Sequence, residues 1–169
     1  MKITEHFDST EFNCQCCGKN NISKELVNKL EQLYQYLADT ENGVHSIVIT
    51  SGYRCPSYSV KVGGYSSDAH TKNIAADVIC YDKQHRVIDP HIIAAIAESL
   101  GFSGIGLMSG ATHLDIRSKD NYINNHWFGD ELTGDDHITT FKEYLPKRKT
   151  TKEELIITLG GKKYKITEV

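Results

Sequence analysis

Asp68-Ala69-His70-Thr71-Lys72-Asn73-Ile74-Ala75-Ala76-Asp77 is the stretch whose reading decides the fold of this chain. A histidine and an aspartate stand seven positions apart, with a turn-former and a small apolar run between them. In one continuous helix they would lie about 10 Å apart along the axis, at about 1.5 Å per residue. In one continuous strand the odd offset would send them to opposite faces. Neither geometry lets both reach one small target, so a shared metal requires the chain to turn between them. Lys72-Asn73 is the place, because asparagine tolerates left-handed backbone better than most residues. Ile74 to Tyr81 then reads as a strand that delivers Asp77 from a largely buried environment.

Upstream, Asn42-Gly43 signals a turn, and Val44 to Thr50 follows as a strand. Ser51-Gly52-Tyr53-Arg54-Cys55-Pro56 ends it, since Pro56 blocks easy continuation. Arg54 thus emerges at a strand end, either as a surface ion pair or as a guanidinium fork for a carboxylate. Lys61 to Ser67 reads as a glycine-bearing loop. Further back, Ser23 is suited to cap a helix in which Leu26, Val27, Leu30, Leu33, Tyr34 and Leu37 make one apolar stripe. Lys24, Lys29, Glu31 and Gln32 are assigned to its other face.

Downstream, Asp89-Pro90 opens a second helix whose buried face is Ile92, Ile93, Ile96, Ala97 and Leu100, stopped by Gly101. Gly104 to Met108 and Ala111 to Arg117 read as a hairpin around Ser109-Gly110. Alternation puts His113, Asp115 and Arg117 on one face of its second strand. Ser118 to Gly134 reads as loop, anchored by Trp127-Phe128, and Lys147-Arg148-Lys149 as a solvated basic linker. Glu154 to Thr167 has the form of a hairpin with a Gly160-Gly161 turn. The expected organisation is one domain over residues 1–146 and a β-hairpin appendage over 147–169.

With 169 residues, 39% hydrophobic and 24% charged, the chain is large enough for a real core. A formal net charge of -3 argues against a nucleic-acid partner, which would favour a basic face. No apolar run is long enough to span a membrane or resembles a signal peptide, so the expectation is synthesis into the cytoplasm. The five cysteines are an odd count, which rules out a complete set of internal disulfides. Cys14-Gln15-Cys16-Cys17-Gly18 carries half of a zinc-knuckle pattern, and Cys55 would join it only if the fold brought it close. The cysteines are therefore read as structural or redox-incidental rather than as a second zinc site.

Three groups stand out for one metal: His70, Asp77 and His113. Two imidazoles and one carboxylate with an open fourth position are a common catalytic zinc set. Asp115 would accept a proton from water or orient a ligand, and Arg54 would hold a substrate carboxylate or a developing oxyanion.

Taken in order, Ser51 to Pro56, Lys61-Val62-Gly63-Gly64, His70 to Asp77, Gly104-Ile105-Gly106 and His113-Leu114-Asp115-Ile116-Arg117 resemble the M15 family. That family comprises zinc D-alanyl-D-alanine carboxypeptidases and related phage endolysins, and the likeness is to the branch with an H-x-D-x-R strand. Glu11-Phe12-x-Cys14 and Trp127 fit the same branch, so the resemblance runs from about residue 7 to about residue 130. It implies an α+β fold of the hedgehog/DD-peptidase kind, with a central antiparallel sheet and flanking helices. It also implies zinc held by His70, Asp77 and His113, Arg54 engaging substrate, and hydrolysis of peptide bonds in peptidoglycan stems. A phage or prophage lysin acting on the bacterial cell wall from a cytoplasmic pool would suit the missing signal peptide.

The chain departs from the family at Asp68, where serine is usual, at Asn73, where glycine is usual, and at Gly110, where many members carry a glutamate base. Asp115 takes the base role by default; alternatively His113 is the base and Asp115 the ligand. These departures leave room for a non-catalytic module that keeps the fold and binds peptidoglycan or a partner.

Overall fold

The computed structural model describes residues 1–117, 127–135, 138–149, 155–159 and 162–166. Helix α1 (Lys24–Ala38) starts where Ser23 caps it, the serine oxygen accepting from the Leu26 N–H. Its Leu26, Val27, Leu30, Leu33 and Leu37 are buried as the stripe predicts. Glu31 is the exception. It is buried too, because its carboxylate receives the His6 backbone N–H and pairs with the His6 ring at 2.6 Å.

Five strands form the central sheet: β1 (Ser46–Ser51), β2 (Ala75–Tyr81), β3 (Gly104–Leu107), β4 (Thr112–Asp115) and β5 (Trp127–Asp130). Their spatial order is β1-β2-β4-β3-β5. The first four pair antiparallel, as expected, but β5 lies parallel to β3, which makes the sheet mixed. The segment read as loop around Trp127-Phe128 is therefore a short edge strand, while residues 118–126 lie outside the described ones. A second unforeseen element is the short helix α2 (Pro56–Lys61), which uses Pro56 in its first turn. Helix α3 (Pro90–Ser99) begins as expected at Asp89, whose carboxylate accepts from the His91 N–H.

Strand periodicity divides the sheet. Ala76, Val78, Leu114, Ile105 and Leu107 join the α1 and α3 side chains in one apolar core. Their alternates on β2 and β4, namely Ala75, Asp77, His113 and Asp115, face the other way. The sequence between β1 and β2 supplies what covers this second face.

Residues 147–149 do not stand free. The Lys149 N–H donates to the Asp39 carbonyl at 2.7 Å, and the Arg148 guanidinium lies over the Tyr36 ring. Strands β6 (Leu155–Leu159) and β7 (Lys162–Ile166) then pair antiparallel as a separate two-stranded sheet. The expected Gly160-Gly161 turn lies outside the described residues. Among the described residues, no helix is long and apolar enough to cross a membrane.

Candidate metal centre

Strand register brings the first two groups together. Asp77 on β2 and His113 on β4 are direct cross-strand partners, and Ser51 on β1 lies opposite Asp77 on its other side. His70 arrives from the turn that precedes β2. There Asn73 adopts φ 64°, and the Asn73 and Ile74 N–H groups donate to the carbonyls of His70 and Ala69. The chain reverses at the asparagine, and His70 swings over the sheet toward Asp77.

The three donor atoms form a small triangle. His70 Nε2 lies 3.3 Å from Asp77 Oδ1 and 3.2 Å from His113 Nδ1, and the third side, His113 Nδ1 to Asp77 Oδ1, is 2.8 Å. Donors about 2.0–2.1 Å from a tetrahedral ion sit about 3.3 Å apart, so the triangle is close to the size zinc needs. The remaining ring nitrogens argue the same way. His70 Nδ1 is 2.7 Å from the Gly52 carbonyl, which can only accept, so that nitrogen carries the proton. His113 Nε2 is 3.1 Å from Asp115 Oδ2 and donates likewise. With both rings neutral, two imidazole lone pairs and a carboxylate oxygen point at one another, an arrangement that calls for a cation between them, a proton or a metal ion. The residues present fit a divalent metal.

The local field agrees. Burial disfavours charge on His113, but the hydrogen bonds and charges of Asp115 and Asp77 outweigh it and raise its pKa to about 9. Burial likewise pushes the Asp77 carboxyl upward, yet bonds to His113 and His70 hold it well below the usual carboxylate range. This is a pocket that attracts positive charge.

The family model described as Peptidase M15 matches residues 5–116, about two thirds of the chain. The chain belongs to the peptidase M15 family. No curated protein matches it. Membership supports hydrolase and metallopeptidase chemistry, and it sharpens the reading of the side chains around the triangle.

Arg54 is held in place rather than loose at a strand end. Its Nε donates to Ser51 Oγ at 2.7 Å, and a terminal nitrogen pairs with Asp77 Oδ2, the carboxylate oxygen facing away from the histidines. Arg54 and Asp77 also line a cleft of about 470 Å³ bounded by Tyr58, Gln15, Met108 and Ser109. Asp115 stands one remove from the centre. It is fully buried, with one oxygen on His113 and both on Arg117. The carboxylate is thus placed against His113, and it does not line the cleft. Gly104, its partner on β3, makes room for it: a Cβ there would run into the Asp115 carboxylate.

Two of the departures from the family pattern have local explanations. Asp68 accepts from the Thr71 N–H at 2.9 Å and bonds Ser59 Oγ, which braces the turn that carries His70. Asn73 occupies the left-handed conformation that a glycine would take. The Gly52 carbonyl, the brace for His70, had no signal of its own in the sequence, since a backbone oxygen leaves no residue-type trace. Arg117 was visible as the end of an alternating pattern and of the H-x-D-x-R motif, but its hold on Asp115 was not.

Proposed function

We propose that this M15-family chain is a zinc-dependent peptidase that hydrolyses peptide bonds in peptidoglycan stem peptides. It would act as a D-alanyl-D-alanine carboxypeptidase or an endopeptidase, in the setting of a phage or prophage lysin. The observation that carries the reading is the convergence of His70 Nε2, Asp77 Oδ1 and His113 Nδ1 on one point beside a cleft.

His70, Asp77 and His113 would hold the ion, where zinc supplies a Lewis acid for the scissile carbonyl and a water of pKa about 7. The Gly52 carbonyl and Asp115 fix the two imidazoles in the tautomers that present the right nitrogens. Arg54 anchors Asp77 on one side and lines the cleft on the other, where its planar fork suits a substrate carboxylate or a developing oxyanion. A stem peptide ends in a carboxylate, which makes it a fitting partner for that guanidinium. In this reading Asp115 acts through His113 and not on the substrate.

The test is digestion of purified cell-wall sacculi, followed by mass spectrometry of the released muropeptides. Protein stripped by a chelator should release nothing, and added zinc should restore products with newly cut peptide bonds. Products that are the same with and without metal, or binding to sacculi without any cut bond, would replace the enzyme with a binding module.

A further inference from the structure

Away from the histidine centre, a second group of ligand-type side chains converges. The sulfur atoms of Cys14, Cys17 and Cys55 all lie within 4.8 Å of one another. Three sulfurs about 2.3 Å from a tetrahedral ion sit about 3.8 Å apart, so small side-chain rotations close the set. Cys16, exposed, adjoins Cys17 in the sequence.

The backbone is already arranged around one of these sulfurs. The Cys55 N–H donates to Cys14 Sγ at 3.3 Å, across 41 residues of sequence. The turn after Cys14 is closed by the Gly18 N–H on the Cys14 carbonyl at 2.8 Å, with Gly18 at φ 69°. A neutral thiol is a weak acceptor and gains little from a donor such as the Cys55 N–H. A thiolate, the form that ligates metal, gains more from it.

We propose that Cys14, Cys17 and Cys55 bind a structural zinc ion separate from the His70–Asp77–His113 centre, with the neighbouring Cys16 or water as the fourth donor. The site ties the N-terminal arm to the end of β1. Contacts already run across that junction: the Tyr53 N–H donates to the Phe12 carbonyl at 2.9 Å, and Gln15 bonds the Thr50 carbonyl and the Tyr58 hydroxyl. Between them lie Gly52 and Arg54, the residues that brace His70 and Asp77. The ion would therefore hold the shell around the other centre without touching it.

Cobalt(II) loading of the reduced full-length protein tests this, because only a sulfur-ligated ion gives thiolate-to-cobalt charge-transfer absorption. The expected result is one equivalent of cobalt with that band in the wild type. The band should persist in His70→Ala with Asp77→Ala and vanish in Cys14→Ser with Cys17→Ser. Cobalt bound by the wild type without the band overturns the proposal whatever the variants do. So does finding Cys14, Cys17 or Cys55 in disulfides in the protein as isolated.

Discussion

His113 Nε2 and Asp115 Oδ2 lie 3.1 Å apart on the same face of one strand, while the other nitrogen of that ring points at Asp77. The spacing of two along a strand is what allows it, since i and i+2 share a face. In the proposed zinc centre, Asp115 would decide which nitrogen of His113 carries the lone pair. Asp115→Asn keeps the size and removes the charge, and an orienting partner of this kind is worth about 10–100-fold in metal affinity. Competition with a chromophoric chelator should show that loss while circular dichroism stays that of the wild type.

Arg54→Lys keeps a positive charge beside Asp77 but loses the fork that reaches Ser51 and Asp77 together. Zinc content should hold, while kcat/KM on muropeptides falls by about 10²–10³-fold, the scale of removing one oriented electrostatic donor. Steady-state kinetics beside elemental analysis reads both quantities.

Asn73 separates fold from chemistry. Its φ is 64°, and its buried side-chain oxygen has no hydrogen-bond partner among the described residues, so only its backbone is needed there. Asn73→Gly should leave the urea midpoint unchanged or raised. Asn73→Val, forced into the left-handed region, should cost about 1–2 kcal/mol or more in the same unfolding measurement.

Glu31 should make the fold acid-sensitive. Burial raises its carboxyl pKa, but hydrogen bonds from the His6 ring and backbone N–H outweigh this and set it below the ordinary 4.5. A depressed folded-state pKa contributes stability that is fully present above the unfolded value and is lost as pH falls through the folded one. Unfolding free energy should thus decline below about pH 4.5, and Glu31→Gln should flatten that decline in a pH series of denaturant melts.

The parts of this molecule that were legible in the sequence are those encoded locally. The turn at Asn73 follows from one residue's backbone tolerance, the start of α1 from Ser23, and the hairpin from Ser109-Gly110 between alternating strands. His70, Asp77 and His113, which the fold brings together, could be picked out because ligand chemistry restricts residue types so strongly. What stayed hidden depends on distant partners. The parallel pairing of β5 with β3 leaves no pattern in the short run Trp127–Asp130. The burial of Glu31 needs His6, 25 residues away. The meeting of Cys55 with Cys14 needs the arm to cross the end of β1, 41 residues apart in sequence.

The most direct measurement is anomalous diffraction at the zinc edge from crystals of zinc-loaded protein. The expected result is a peak about 2.0–2.2 Å from His70 Nε2, Asp77 Oδ1 and His113 Nδ1 together. A zinc-loaded crystal with no peak touching all three side chains would contradict it.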